Sequence, residues 1–298
     1  MGAYPLEDHK LVHRIVGITR LIAFDMDEHV VSRQLFNRPV ESCFCLHKKS
    51  GEIVAKFDSV LASCGFSDAG GAVIWLDYTD PKKIGVQIRE FQSLLDKLRA
   101  GDVVRITVNA HPNEMLEPQA EGEKPLQKTE KMDKQFANLK KWIGEFLPTW
   151  ATEEHMTLEG LAKVIASSFA SAALGALPST GSNTFSPLSI VRYADTTQML
   201  SITGVIVERA KEREMTEALG LDKWAFASVD WSTIHHLIVP VLTVRERLYL
   251  ERAVITKSEA EVISGLGFEQ AAGVDIKEFL DSYKSYYRFY PTLLPSEI

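Results

Sequence analysis

Cysteine is scarce in this sequence. Cys43, Cys45 and Cys64 are the three present, an odd number without a C-x-x-C pair, which fits a reducing cytoplasm better than an oxidising compartment. Long apolar runs are missing too. None approaches the roughly 18 residues of a membrane span, and the amino terminus lacks a basic-then-apolar signal, so neither membrane nor export is expected. Basic excess is absent: 33 Lys and Arg against 40 Asp and Glu give a net charge of −7. That excludes a globally basic nucleic-acid binder and leaves only a local patch. No G-x-S-x-G elbow, Walker A loop, kinase signature or H-E-x-x-H is found, which argues against the commonest hydrolases and nucleotide triphosphatases. What remains is 298 residues, 24% charged and 45% apolar by a broad count, an ordinary globular composition. A chain this long buries a sizeable core without staples, as one large domain or two modest ones.

The first half alternates strand and helix patterns. Leu11, Val12, Ile15 and Val16 recur at helical spacing, with Pro5 suited to the first helical position and Gly17 to the stop. Leu21-Ile22-Ala23-Phe24 is a short, fully apolar run that ends in Asp25, Asp27 and Glu28, the pattern of a strand covered on both faces. A helix over residues 30–36, a strand over 43–46 and a helix over 50–64 are expected next. Ala72-Val73-Ile74-Trp75-Leu76 is the clearest strand. Ile84, Ile88, Phe91, Leu95 and Leu98 then mark one helix face, and 103–108 forms another strand. Such a strand–helix–strand crossover is parallel. Residues 112–133, with three prolines and many charges, read as a long loop or lid. Helices over 134–146 and 158–174, a loop over 178–186 and a hairpin of 188–193 with 199–207 around Asp195-Thr196-Thr197 follow. The last third is helical, with capping-box spacing at Thr243–Glu246 and Ser258–Glu261 and a final helix over 275–287. The expected division is an α/β domain over 1–232 and a helical extension over 233–298.

Open α/β sheets bind ligands beyond the carboxyl ends of their strands. This directs attention to Asp25-Met26-Asp27, residues 47–50, residues 77–80 and residues 109–111. Asp25 directly follows its apolar run, placed either to accept hydrogen bonds from both hydroxyls of a ribose or to face solvent. Asp80 precedes Pro81 and is explained as a helix cap. Asp77 and Tyr78 lie at the strand mouth: a carboxylate and a phenol able to orient an acceptor or take its proton, or else a surface acid and a ring packed on the sheet edge. His9 and His13 lie four apart, but without a third ligand they read as half-exposed side chains rather than a zinc site. Cys43 and Cys45 share one strand face, as core residues more readily than ligands. Arg245, Arg247, Arg252, Lys277, Lys284 and Arg288 interleave near the end with Tyr283, Tyr286, Tyr287, Phe289 and Tyr290. Such a pattern either binds nucleic acid or docks a terminal helix on its own domain.

The glycine loop at Gly2-Ala3, the helix after it, Ile22-Ala23-Phe24-Asp25-Met26-Asp27 and Trp75-Leu76-Asp77-Tyr78-Thr79 together resemble the class I S-adenosylmethionine-dependent methyltransferases. Leu6-Glu7-Asp8-His9-Lys10, Arg33-Gln34-Leu35-Phe36-Asn37-Arg38-Pro39 and Tyr287-Arg288-Phe289-Tyr290-Pro291 narrow the resemblance to a bacterial O-methyltransferase-like group. It spans nearly the whole chain. The resemblance implies a Rossmann-like, mostly parallel sheet with helices on both faces, an antiparallel hairpin on the sheet, and S-adenosylmethionine as cofactor. Gly2 and Ala3 would then form the cofactor's glycine loop, and Asp25 with Met26 would hold its ribose. Ser50 would lie near the adenine and Asp77 near the transferring methyl. Met1 stands where the first strand of such a sheet should already have ended. That strand is expected to be missing, leaving a slot lined by unpaired backbone groups.

Two functions follow as expectations. One is methyl transfer to an unidentified acceptor held beneath the 112–133 loop, in a bacterial accessory or defence setting that the resemblance suggests. The other is a catalytically degenerate scaffold that uses the same shape to bind a protein partner or nucleic acid.

Overall fold

A computed structural model describes residues 3–117, 126–194, 196–228, 230–238, 242–267 and 275–289. In its first half, helices alternate with strands: α1 (Glu7–Val16), β1 (Leu21–Asp25), α2 (Glu28–Asn37), β2 (Cys43–His47), α3 (Ser50–Ala55), α4 (Phe57–Ser63), β3 (Val73–Asp77), α5 (Ile84–Leu95) and β4 (Val103–Asn109). After these come α6 (Lys128–Ile143), α7 (Leu158–Ala176), β5 (Asn183–Ala194), β6 (Gln198–Glu208) and α8 (Glu212–Leu219). A short β7 (His235–His236) precedes α9 (Val244–Ala253), α10 (Glu259–Leu266) and α11 (Ile276–Tyr286).

The strands form two sheets, β1-β2 and β3-β4-β6-β5-β7. Pairs β1–β2, β3–β4 and β5–β7 are parallel, while β6 runs antiparallel to both β4 and β5. The fold is mixed α/β and Rossmann-like, with helices on both faces. On one face Phe24, Leu76, Ile106 and Ile202 pack with Ile88 and Phe91 of α5 and Phe169 of α7 in a single core. On the other, Leu21, Ala23 and Cys43 pack with Leu6 and Ile18 beside α1. Cys43 and Cys45 both belong to that second core, so their shared face is packing. Burial of β1 on both sides is why its sequence is continuously apolar rather than alternating.

Several boundaries differ from the sequence expectation. Helix α1 begins at Glu7, not at Pro5, because Leu6 turns left-handed at φ 55° to bury its side chain. Gly17 does end it, at φ 76°. The helix expected over 50–64 breaks at Lys56 into α3 and α4. Strand β5 starts at Asn183, inside the segment expected to be loop, and Pro187 is accommodated by a register shift against β6. A proline there is tolerated because β7 pairs with β5 only at Val191 and Arg192, leaving Pro187 on an edge.

The described parts of the segment expected as a lid are structured. Residues 112–115 form a 3-10 turn with Met115 fully buried, and α6 starts at Lys128. Gln135 donates to the Pro112 carbonyl at 2.8 Å and Asn138 to the Met115 carbonyl at 2.9 Å, fastening this stretch to α6. Residues 118–125 lie outside the described residues, as does Asp195 of the hairpin turn.

Helices α9 to α11 share a core of their own around Leu250, Val262, Phe279 and Tyr283. The two capping boxes form as expected, at Thr243–Glu246 and Ser258–Glu261. Tyr283 is fully buried and Tyr286 donates to the Ile238 carbonyl at 3.1 Å, so these two aromatics dock α11 on its own unit. Arg247 pairs with Glu251 at 2.8 Å. Tyr290 lies outside the described residues. His235 and His236 pair with β5, so the first residues of the expected extension belong to the main sheet.

Candidate functional site

The carboxyl ends of β1, β2 and β3 carry the residues that could meet a ligand. Asp25 ends β1, and its Oδ1 accepts the backbone N–H of Asp27 at 2.9 Å, a local turn that fixes the carboxylate. Its Oδ2 has no hydrogen-bond partner among the described residues. Asp27 then caps α2 by accepting from the His29 N–H at 2.8 Å. Met26, between them, is 67% exposed, an apolar side chain left standing at the sheet mouth. The His47 ring hydrogen-bonds the Met26 carbonyl at 2.9 Å, and the Lys48 N–H donates to the Asp25 carbonyl at 3.0 Å. These bonds tie the β1 and β2 ends into one rim. Ser50 opens α3 beside it, where Glu52 accepts the Lys49 N–H and is held below the usual carboxylate range by that bond.

Asp77 ends β3 and is half-buried. Tyr78, the next residue, is buried in the core, and its hydroxyl donates to Glu90 of α5 at 2.5 Å. Burial first, and the Glu90 hydrogen bond second, push the phenol well above its ordinary range, while a hydrogen bond from Ser50 opposes this. Held this way, Tyr78 keeps its proton at neutral pH. The ring is packed in the core and its hydroxyl is taken by Glu90. Glu90 was not singled out from the sequence. On α5 it is one of two charged residues, next to Arg89, and only the fold brings it to Tyr78 and within reach of α3, where a Cβ on Gly51 would lie 3.0 Å from Glu90 Oε1.

Asp80 acts as the expected cap, accepting the Lys82 N–H at 3.0 Å ahead of Pro81. Asn109 ends β4 and accepts the His111 N–H at 3.0 Å. Of the residues expected to bind the cofactor, the structure brings Asp25, Met26 and Ser50 onto one rim and Asp77 onto the facing strand end. Gly2 lies outside the described residues. Ala3 is exposed, and its carbonyl accepts the Leu6 N–H at 3.1 Å. The following Tyr4 stacks under the Arg33 guanidinium, and its carbonyl accepts from Asn37, so this entry segment is fastened to α2.

Between β1 and β3 lies a cavity of about 520 Å³, walled by Ile22 and Phe24 on one side and Val73 and Trp75 on the other. His9 of α1 also faces it. The amino-terminal halves of both strands line it, together with the segments that lead into them, so β1 and β3 enter from the same end. Arg20 and Asp68 bridge that end with two hydrogen bonds of 2.8 and 3.1 Å. The strand order therefore runs outward from this gap in both directions, β1-β2 one way and β3-β4 the other. That is a topological switch point, and the crevice above the carboxyl ends is where such sheets bind ligands.

The sequence model of the family described as Putative O-methyltransferase matches residues 1–298. The chain belongs to this family. No curated protein matches it. Membership of this family points to methyl transfer, and the mixed α/β fold agrees with a Rossmann-like methyltransferase sheet. His9 and His13 do not face a common ligand: His9 hydrogen-bonds the Ile22 carbonyl at 3.3 Å and His13 the Ile18 carbonyl at 2.9 Å. His235 and His236 likewise diverge, to the Ala227 carbonyl and to Glu278. No group of three or more potential metal ligands occurs among the described residues, and no described helix is long and apolar enough to cross a membrane.

Proposed function

We propose that this family member transfers a methyl group from S-adenosylmethionine to a hydroxyl acceptor in the crevice above β1 and β3. The observation that carries the reading is Asp25. Its carboxylate sits at the switch point, one oxygen fixed by the Asp27 amide and the other without a partner among the described residues. A carboxylate oriented beforehand in this way suits a pair of ribose hydroxyls, since little freedom is lost on binding. Met26 offers an exposed apolar surface beside it, and Ser50 stands on the same rim for the adenine end. Asp77, across the gap, is the acid placed to face the reacting end.

The donor supplies an electrophilic methyl group on a sulfonium sulfur. This chain's residues need only align the acceptor oxygen with it, so the rate gain comes chiefly from orientation. Asp77 can accept the acceptor's hydroxyl hydrogen bond and hold that oxygen in line. Tyr78 positions the β3 end and does not exchange a proton. Calorimetric titration of the 298-residue protein with S-adenosylhomocysteine tests this, repeated on Asp25→Ala. Binding in the micromolar range is expected, weakened at least about tenfold by the substitution, the loss of roughly one charge-assisted hydrogen bond. A folded sample that binds nothing, or binds equally well without the carboxylate, overturns the reading. The open gap between β1 and β3 favours a second one: a methyltransferase-shaped scaffold whose crevice lacks one wall and whose role is to engage a partner.

A further inference from the structure

The side chains of β3, β4 and β6 divide between the two faces of the larger sheet. Leu76, Ile106 and Ile202 turn into the core with α5 and α7. Trp75, Arg105, Thr107, Ser201 and Thr203 share the opposite face, in register as Trp75–Arg105–Thr203 and Thr107–Ser201. Arg105 is the charged member of this group. It lies on β4, an inner strand flanked by β3 and β6, and it is half-buried. Arginine is seldom placed so without an anion to meet its charge. Arg20, Arg89, Arg213 and Arg247 each pair with a carboxylate, whereas Arg105 forms no ion pair among the described residues.

The contacts that hold Arg105 leave its charged end free. Its guanidinium carbon lies 4.4 Å from the centre of the Trp75 ring, and its Nε donates to the Ser201 hydroxyl at 2.9 Å. Thr107 accepts the Trp75 indole N–H at 3.0 Å and sits 3.3 Å from the same Ser201 oxygen, and both Thr107 and Ser201 are buried. One face of the guanidinium and one of arginine's five N–H donors are thereby used. The other four, on Nη1 and Nη2, have no partner among the described residues. The hydroxyl of Thr203, opposite Arg105 on β6, also makes no hydrogen bond among them, and residues so opposed stand about 5 Å apart. Val73, on the same face two residues before Trp75, is 65% exposed, so solvent reaches this end of the face.

We propose that Arg105 anchors an oxyanion site on this face, which takes the phosphate or carboxylate group of a small ligand. Two oxygens of such a group match Nη1 and Nη2, the bidentate fork for which arginine is suited and lysine is not. A phosphate has a further oxygen for the Thr203 hydroxyl, and Val73 and Val103 offer apolar surface to the rest of the ligand. Trp75 covers one face of the guanidinium, so the anion approaches in the plane of the fork. The stack and the Ser201 bond have already fixed the long side chain, and little rotamer freedom is left to lose on binding. The site is separate from the crevice, since Trp75 and Arg105 precede the carboxyl ends of β3 and β4. The inference does not rest on the methyl-transfer reading.

The test follows the indole N–H signals of the five tryptophans by nitrogen-15 NMR, with Trp75 assigned through Trp75→Phe. The Trp75 indole is bonded to Thr107 and its ring carries Arg105, so its signal reports on the site. Inorganic phosphate and acetate are titrated separately, with sodium chloride holding the ionic strength constant. Either anion is expected to move the Trp75 signal saturably, half-way at about 1–10 mM, and to leave the other tryptophans in place. Arg105→Gln should abolish the movement, and Arg105→Lys should weaken binding at least about fivefold, because an ammonium lacks the fork. Melting curves confirm that each variant folds. No movement by either anion in the folded parent overturns the proposal. So does movement undiminished in Arg105→Gln, or a uniform drift of all the indole signals, which would mark general screening. Should Arg105→Gln fail to fold, Arg105→Lys decides alone, and affinity equal to that of the parent overturns the site.

Discussion

Replacing Tyr78 with Phe removes one hydroxyl and keeps the ring. Tyr78 is 7% exposed and its hydroxyl donates to Glu90 at 2.5 Å, so the loss is a buried hydrogen bond to an acidic side chain rather than a cavity. Such bonds contribute about 1.5–3 kcal/mol. Glu90 is half-buried and can recover a water, which places the cost near the lower end, about 1–2 kcal/mol. A chain of this size melts roughly 2 °C lower for each kcal/mol, so a drop of about 2–4 °C is expected in scanning calorimetry. Affinity for S-adenosylhomocysteine should stay within about threefold, because the phenol holds the crevice from behind and does not line it. An unchanged melting temperature together with a hundredfold loss of turnover would refute this, and would return Tyr78 to the catalytic role that its place after β3 first allowed.

Burial holds the His9 imidazole below its ordinary 6.5, the Ile22 carbonyl opposing only in part. The unfolded chain therefore binds more protons than the folded one between that lowered value and 6.5, and stability falls as pH drops through this window. Urea unfolding of the parent should show the decline below neutrality, and His9→Gln should flatten it; identical slopes would exclude His9 as the source. Burial pushes the Cys43 thiol up to about 12, so iodoacetamide at neutral pH should label Cys43 only after unfolding. Labelling of Cys43 in the native state would contradict its packing. A methyl group on Gly85 would lie 2.4 Å from the Trp142 carbonyl, where α5 meets the end of α6. Gly85→Ala should cost about 1–3 kcal/mol by chemical denaturation, and a neutral result would mean that the two helices can separate freely.

The core elements were legible because their signals are local. The apolar stretch at 21–24 and the stripe from Ile84 to Leu95 each name one element and the face it buries. Ends were less legible where tertiary contact decides them. Nothing near Pro5 announces that Leu6 will turn left-handed, since the gain is its burial beside β1. Residues 112–117 looked loop-like for a similar reason. Pro112 and the charges of Glu114 and Glu117 are visible in sequence, whereas the Gln135 and Asn138 side chains that fasten this stretch come from a helix further along.

At the site, strand ends could be found but not the direction in which their side chains point. Asp25 and Asp77 followed from counting to the end of an apolar run. Tyr78 follows by the same count, yet it turns inward because Glu90 and Ser50 meet it from α5 and α3. That inward turn does more for the crevice than a phenol at its mouth would. Glu90 of α5, which accepts the Tyr78 hydroxyl, also lies against Gly51 of α3, so this contact links the two sheets near the carboxyl end of the gap. Arg20 and Asp68 join them at the opposite end. These bridges, together with the core shared by Phe24 and Leu76, hold the two sheets together. The exposed ion pair contributes little and is screened by salt. The core shared by Phe24 and Leu76 is therefore what chiefly sets the spacing of Asp25 from Asp77, and for that reason loss of the Tyr78 hydroxyl alone should leave the donor crevice nearly unchanged.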